Sequence, residues 1–265
     1  TKAYELPEGG RDAKGQHVAN QLAFRPDETI AEVMAITSYD DDDYLVLATR
    51  DGLVKKTPLS AYDSPRQAGV IAINLREDDD GEPDELVSAV IASADDDLML
   101  VSKDGMSLRF HASDQALRPM GRSTSGVRGM KFRPGDELLA MEVVRPDADL
   151  LVVTEGGYAK RTPLREYRVQ GRGGFGVKVA DVSSDRGALV GALVTDPEEE
   201  VMAIMDSGNV IRVSVADVRP TGRTTKGVIL ARTGDDDGVS AITRSSDTQV
   251  GSDGKDDSDK ETADA

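Results

Sequence analysis

One pattern recurs four times along this chain of 265 residues: an apolar run, a turn ending in glycine, and a second run. Successive copies begin 53, 52 and 51 residues apart. Glycine tolerates the positive φ that tight turns require, so each copy is predicted to form a β-hairpin within an array of equivalent units. The copies are LVLATRDGLVKKTP (45–58), LMLVSKDGMSLRF (98–110), LLVVTEGGYAKRTP (150–163) and VMAIMDSGNVIRV (201–213).

Two further landmarks follow each hairpin at the same period. A Gly-Val pair begins a short apolar strand, and a third apolar run closes the repeat, which gives four strands per repeat. The pairs are Gly69-Val70, Gly126-Val127, Gly176-Val177 and Gly227-Val228, and the closing runs cover residues 86–92, 138–144, 189–195 and 239–243. Residues 1–37 fit a truncated copy, with residues 15–23 as its Gly-Val strand and residues 30–37 as its closing strand.

Four short strands near every 50 residues, without helical periodicity, are typical of a propeller-like ring in which each repeat is one blade. The predicted fold class is all-β, with about five repeats. A sandwich of two sheets is the competing architecture, but it does not require a Gly-Val pair at a fixed distance in every unit. The predicted domain, residues 1–244, has blades at about 1–37, 44–92, 97–144, 149–195 and 200–244. Residues 245–265 are acidic and lack periodicity, which predicts a disordered tail.

Charge divides each repeat into a basic and an acidic part. The net charge of −17, from 32 basic and 49 acidic residues, would by itself argue against a nucleic-acid partner. The stretches from the second hairpin strand through the Gly-Val strand nevertheless carry +3, +5, +5 and +4 (residues 53–76, 106–133, 158–178 and 209–232). A ring of such repeats would have a basic rim suited to the phosphates of a bent duplex. Solubility alone could also place cations at strand ends, but all four repeats have the same sign.

The acidic residues cluster in aspartate runs at residues 40–43, 78–80, 95–97 and 235–237, where loops are expected. Such runs favour a salt-adapted source, and ordinary solvated loops are the alternative. The chain has neither a stretch of about 18 apolar residues nor a charged-then-apolar leader, so a cytoplasmic protein without membrane contact is expected. If its basic rim binds a duplex, the protein would be nucleoid-associated. The absence of cysteine excludes disulfides and thiolate metal sites.

No constellation for catalysis or metal binding is present in the sequence. The only histidines, His17 and His111, are far apart. Residues 171–176 satisfy G-x-G-x-x-G, but a strand is predicted after them where a dinucleotide site needs a helix. The two DDDG segments resemble calcium loops, yet Ala89 and Ser246 stand where the bidentate glutamate would be. We therefore expect no catalytic residue, no metal site and no cofactor in this chain.

Four segments resemble the blades of the C-terminal domain of the DNA gyrase A subunit: GLVKKTPLSAY (52–62), SLRFHASDQALRPMGRSTSGVRGMKF (107–132), GYAKRTPLREYRVQGRGGFGVKV (157–179) and VRPTGRTTKGVILART (218–233). The resemblance implies a β-pinwheel, a propeller variant with strands exchanged between neighbouring blades. It also implies sequence-independent wrapping of double-stranded DNA, which directs strand passage to introduce negative supercoils. This chain would then be an accessory domain of an ATP-dependent type II topoisomerase. Its partners would be the remainder of gyrase A and the gyrase B subunit, in an A2B2 assembly.

Fifteen basic residues of the four stretches are the candidate DNA contacts. They are Lys55, Lys56, Arg118, Arg122, Arg128, Lys131, Lys160, Arg161, Arg168, Arg172, Lys178, Arg212, Arg219, Arg223 and Lys226.

One hallmark of the family is missing. The gyrase A box, Gln-basic-basic-Gly-Gly-basic-Gly, belongs to a blade preceding those of this chain. A degenerate counterpart is formed by Gln170, Arg172, Gly173, Gly174 and Gly176, and because it keeps one basic position of three, it is not expected to act as the box. The C-terminal domain of the topoisomerase IV A subunit, which is similar but lacks a proper box, therefore remains an alternative. A second alternative is a propeller used as a protein-docking platform, whose basic rim would bind acidic partners.

Overall fold

The computed structural model describes residues 2–10, 13–22, 28–39, 43–64, 69–77, 81–182, 186–234 and 237–245. Within these residues the secondary structure consists of β-strands and five short 3-10 helices, which confirms the all-β prediction. The strands are β1 (Asp43–Thr49), β2 (Leu53–Pro58), β3 (Leu86–Ser93), β4 (Asp97–Ser102), β5 (Met106–His111), β6 (Val127–Arg128), β7 (Leu138–Val143), β8 (Asp149–Thr154), β9 (Tyr158–Pro163), β10 (Val177–Lys178), β11 (Leu189–Thr195), β12 (Glu200–Met205), β13 (Val210–Ser214), β14 (Val228–Ile229) and β15 (Val239–Arg244). The 3-10 helices are Ala3–Glu5, Val18–Asn20, Leu59–Tyr62, Leu164–Glu166 and Val215–Asp217.

The four predicted hairpins are confirmed, as the antiparallel pairs β1–β2, β4–β5, β8–β9 and β12–β13. Their turns end on glycines at positions 52, 105, 157 and 208, whose φ angles lie between +75° and +84°. In each turn the glycine N–H donates to the carbonyl three residues earlier, as Gly52 does to Thr49 at 2.9 Å. Glycine is required because other residues rarely adopt this φ.

Aspartates stabilise three of these turns from the loop before the closing strand. Asp136 accepts from the backbone N–H of Asp104 at 2.9 Å and from the hydroxyl of Ser102 at 2.7 Å. Asp84 and Asp237 accept the equivalent backbone N–H bonds in the first and fourth hairpins. Asp237 belongs to a run predicted as a solvated loop, so part of the acidic charge has a structural role.

The sheets contain the strand exchange that the resemblance implies. Their strand orders are β3-β1-β2-β6, β7-β4-β5-β10, β11-β8-β9-β14 and β15-β12-β13. In the first three, the outermost strand is the Gly-Val strand of the following repeat. The glycine permits the approach: a Cβ on Gly126, at φ +89°, would lie 2.6 Å from the carbonyl oxygen of Val54. Each repeat is thereby tied to the one before it by backbone hydrogen bonds.

Three apolar cores lie between adjacent sheets, so the sheets follow one another as propeller blades. Leu98 and Leu100 of β4 face the first core, whereas Met99 and Val101 of the same strand face the second. Both faces of an inner blade are therefore buried. This explains why the first hairpin strands are continuous apolar runs rather than alternating ones.

The first copy departs from its prediction. Residues 13–22 and 28–39 contain no strand, and residues 69–76 after the first hairpin form none either. A strand needs a hydrogen-bonded neighbour, and no described residue supplies a hairpin for these segments. At the opposite end of the row, a hairpin is present but a donated strand is not: no described strand pairs with the outer edge of β13, where Val210 is 57% exposed.

Of the predicted tail, only Ser245 is described. Its N–H donates to the carbonyl of Glu200 at 2.9 Å, so this residue belongs to the last blade. The prediction for residues 246–265 lies outside the described residues.

Candidate nucleic-acid interface

Four stretches carry the Gly-Val pairs and most of the candidate DNA contacts. We call them exchange segments: E1 (69–77), E2 (118–131), E3 (168–180) and E4 (219–232). E2 to E4 each begin with a backbone bond to the second hairpin strand of the preceding blade, as Gln170 N–H does to Arg109 at 2.8 Å. Near its end, each segment donates a backbone hydrogen bond to the carbonyl of that hairpin's turn glycine, as Val179 N–H does to Gly105 O at 2.8 Å. The fold therefore presents these segments at equivalent positions along the row of blades.

Consecutive exchange segments contact one another directly. Between E1 and E2, the amide of Asn74 donates to Ser123 O at 2.7 Å. Between E2 and E3, Lys131 N–H donates to Gly174 O at 2.8 Å. Between E3 and E4, the guanidinium of Arg223 lies 3.5 Å from the carbonyl of Lys178. The four segments thus form one continuous strip of backbone across the blades, which we call the rim.

The rim carries most of the predicted cations at its surface. Of the candidate residues, Arg122 and Arg223 are partly exposed and the following are exposed: Arg118, Arg128, Lys131, Arg168, Arg172, Lys178, Arg219 and Lys226. Lys178 pairs with Asp181. Arg128 donates to Asp51 O at 2.7 Å. A cationic surface of this kind attracts a polyanion and releases its counterions on binding.

Four candidate contacts are placed in the interior, and we remove them from the set. Lys55 and Lys56 are fully buried, and Lys160 and Arg161 are 3% and 5% exposed. Lys56 donates to Asp114 at 2.7 Å, and its ammonium lies 4.2 Å from the centre of the Tyr44 ring. Arg161 pairs with Asp149 at 3.1 Å. Their charges are used within the protein, so they cannot meet a ligand at the surface.

Burial affects the ionisation of two of these side chains. Burial lowers the pKa of the Lys55 ammonium to about 8, and the nearby Arg122 contributes to this lowering. Burial likewise lowers the pKa of Lys160 to about 8, with Glu166 opposing the shift. Each ammonium donates to two backbone carbonyls, which is what makes its burial tolerable.

Arg212 lies outside the rim. It is an exposed residue of β13, where it pairs with Glu200 at 3.4 Å.

The degenerate box lies within E3 and has a structural role. Gly173 N–H donates to Gly129 O at 2.5 Å, and a Cβ on Gly176 would lie 2.1 Å from Ser107 O. Arg172 donates through Nε to Ala116 O at 2.7 Å and through Nη1 to Arg128 O at 3.0 Å. The glycines of this segment therefore permit close packing of E3 on E2 and on β5.

Sequence reasoning missed Arg186. This residue precedes β11, outside the basic stretches, yet its guanidinium donates to Lys226 O in E4 and lies 4.2 Å from the centre of the Tyr158 ring. No local signal marks it, since only folding brings it beside E4. Arg76 and Arg232 were counted in the basic stretches but not proposed as contacts, and both are exposed on the rim.

Within the described parts of the chain, no helix is long and apolar enough to cross a membrane. The same residues hold no group of three or more His, Asp or Glu side chains that could bind a metal.

The chain matches the family model "DNA gyrase C-terminal domain, beta-propeller" in five segments, residues 1–37, 43–93, 96–145, 148–196 and 199–246. Two similar solved structures are the C-terminal domain of DNA topoisomerase IV (TM-score 0.78, 25% identity, 87% of this chain and 70% of that one) and the DNA gyrase A C-terminal domain (TM-score 0.77, 25% identity, 92% and 77%). The fold alone does not separate these two.

Sequence similarity separates them. The DNA gyrase A subunit of Streptomyces coelicolor is 61% identical over 246 residues, which are 93% of this chain and 29% of that protein. The DNA gyrase A subunit of Mycolicibacterium smegmatis is 55% identical over 264 residues, 100% of this chain and 31% of the relative. The chain thus spans less than a third of these relatives. It belongs to the DNA gyrase C-terminal domain, β-propeller family.

Proposed function

We propose that the rim binds double-stranded DNA through its phosphates, independently of sequence, and bends the duplex along the row of blades. The observation that carries this proposal is the continuity of the four exchange segments, each of which adds exposed Arg or Lys side chains. Guanidinium and ammonium groups recognise phosphate by charge-assisted hydrogen bonds. Such contacts position a duplex without reading its bases.

A net charge of −17 does not oppose this function, because E2, E3 and E4 contain no acidic residue and carry +4, +3 and +4. E1 contains one basic and one acidic residue, Arg76 and Glu77. Asp84, Asp136 and Asp237 are held in the loops beside the hairpin turns. At physiological ionic strength the Debye length is about 8 Å, so a phosphate at the rim responds mainly to the cations nearest to it.

Bending a duplex over 20 to 30 base pairs costs on the order of 1–6 kcal/mol. A rim that repeats one set of cations per blade can offset this cost with evenly spaced contacts. We infer that the domain acts as part of gyrase A, together with the remainder of that protein and with the gyrase B subunit, in an A2B2 assembly in the cytoplasm. Wrapped DNA would then direct strand passage in one sense and introduce negative supercoils.

Binding to two unrelated duplexes of equal length, titrated with salt, tests the DNA contact. We expect equal affinities and a steep linear fall of log K with log salt, by ~0.9 per phosphate contact. Arg122→Gln should lower both the affinity and the slope. Lys103→Gln is the matched control, because Lys103 lies in a hairpin turn and already pairs with Glu137 at 2.5 Å.

Plasmid relaxation with a nicking-closing topoisomerase tests the bending. A shift of linking number with a constant sign is expected on adding the domain. Salt-independent binding, or a preference for one sequence, would contradict phosphate recognition. Tight binding of an acidic protein without any shift of linking number would favour a docking platform instead.

A further inference from the structure

Two buried lysines occupy the same position in alternate blades. Lys55 on β2 and Lys160 on β9 both lie three residues after the turn glycine of their hairpin, and they are 0% and 3% exposed. The equivalent residues of β5 and β13 are Leu108 and Ile211. The blade array therefore alternates between an ammonium and an aliphatic side chain at this place.

Each lysine joins two consecutive exchange segments. The ammonium of Lys55 donates to Ala72 O in E1 and to Arg122 O in E2. The ammonium of Lys160 donates to Val179 O in E3 and to Arg223 O in E4. In both places one acceptor is the backbone carbonyl of an arginine in a Gly-Arg pair, Gly121-Arg122 or Gly222-Arg223. Each pair lies five residues before the Gly-Val pair of its segment.

The junction between E2 and E3 lacks such a lysine, because Leu108 occupies the position. There the equivalent arginine, Arg172, makes the connection with its own side chain. Its guanidinium donates to Ala116 O at 2.7 Å and to Arg128 O at 3.0 Å. Leu108 instead lies beside Gly174, at 3.5 Å from the position of an added Cβ.

The two arrangements differ in how many hydrogen bonds the guanidinium of each arginine makes within the protein. The guanidinium of Arg122 makes no hydrogen bond or ion pair with any described residue, and that of Arg223 makes one hydrogen bond, at 3.5 Å to Lys178 O. Arg172 has used two of its donor groups within the protein. A guanidinium already bonded to carbonyls has fewer donors for a phosphate.

We propose that Lys55 and Lys160 are positioning residues for DNA binding, which hold the backbone of Arg122 and Arg223 so that these guanidinium groups contact phosphate. Arg172, by contrast, braces the rim and is not a phosphate contact. The proposal rests on the DNA-binding function proposed above. The proposal predicts that Arg122 and Arg223 contact phosphate and that Arg172 does not, although all three occupy equivalent positions in the sequence repeats.

A double-mutant cycle tests the role of Lys160. The affinity for a random-sequence duplex and its salt slope are measured for wild type, Lys160→Met, Arg223→Gln and the double variant. Each single change should weaken binding on the order of tenfold, the value of one charge-assisted hydrogen bond, and lower the salt slope by ~0.9. The double variant should bind no more weakly than either, since both changes remove one contact. If the loss of affinity in the double variant equals the product of the two single losses, the proposal is overturned.

Variants of the three arginines provide a second test, which does not require a lysine variant to fold. Arg122→Gln and Arg223→Gln should lower DNA affinity while leaving the urea midpoint unchanged. Arg172→Gln should lower the urea midpoint and leave the affinity of the folded protein within about twofold. Equal losses of affinity for all three variants would overturn the proposal while supporting DNA binding. Absence of duplex binding by the wild type would refute the proposed function itself.

Discussion

Gly176 lies against the backbone carbonyl of Ser107 so closely that a Cβ on the glycine would fall 2.1 Å from the oxygen. The same glycine has a φ of +72°. Gly126 and Gly227 repeat both features against Val54 and Ala159. Strand exchange therefore depends on the absence of a side chain at one position of each repeat.

Gly176→Ala should destabilise the domain by about 2–5 kcal/mol, the sum of left-handed backbone strain and overpacking. Gly69→Ala is the matched control, since Gly69 has φ +73° but no atom of the described residues within 4 Å of an added Cβ. The control should lose only the backbone part, about 1–2 kcal/mol. Urea unfolding of both variants measures the difference, and equal losses would show that the close approach contributes nothing.

The buried Lys160 predicts a rise of stability in alkali. Its pKa falls from the ordinary 10.5 to about 8 on folding. Between these values the unfolded chain binds more protons than the folded one, so the free energy of unfolding increases with pH. The difference in stability between wild type and Lys160→Met should therefore shift in favour of the wild type from pH 8 to 10.5. Lys103→Met, which removes an exposed lysine from a hairpin turn, is the matched control.

Glu142 predicts a change of the opposite sign. Burial raises its pKa above the ordinary 4.5, although Arg244 and the N–H of Val194 oppose the shift. The folded state then binds more protons, so this group lowers the free energy of unfolding as pH rises above 4.5. Glu142→Gln should gain stability relative to the wild type over that rise. A parallel pH profile for Glu142→Gln and the exposed Glu198→Gln would contradict this reasoning.

The acidic tail predicts an effect of salt on DNA binding. Residues 245–265 carry seven acidic and two basic residues, net −5, and a polyanionic segment can compete with DNA for the rim. Deleting residues 246–265 should raise DNA affinity at low ionic strength, and the gain should vanish as the Debye length falls from about 30 Å at 0.01 M to 10 Å at 0.1 M. A tail of the same length with Asn and Gln in place of its acids separates charge from chain length. Unchanged affinity at low salt would identify the tail as a solubility element.

Much of the fold followed from the sequence because glycine marks a backbone requirement that no other residue meets. Gly52 and its three counterparts fixed the hairpins, and Gly126 marked the start of an exchanged strand. The exchange itself could not be derived from spacing, since β6 pairs with β2, a strand about 70 residues away, rather than with its own hairpin. That feature came from the family resemblance.

The candidate site was predicted less completely. The basic stretches included the exposed cations of the rim, but they also included Lys55, Lys56, Lys160 and Arg161, which were proposed as DNA contacts and are buried. Their burial depends on carbonyls and carboxylates outside their own strands, such as Arg122 O for Lys55, Asp114 for Lys56 and Asp149 for Arg161. Arg186 was missed for the same reason, because its neighbours Tyr158 and Lys226 are distant in sequence.

Because of strand exchange, a sheet and a sequence repeat do not coincide: three strands of a sheet come from one repeat and the fourth comes from the next repeat. Because β2 receives its outer strand from the next repeat, removing a whole repeat such as residues 98–149 would leave the donor strand β10 to take the place of β6. No hairpin would lose its partner and no donor would be left over. Gene duplication or deletion in units of about 50 residues can thus change the number of blades without opening a new sheet edge, so evolution can adjust the length of the rim independently of the fold.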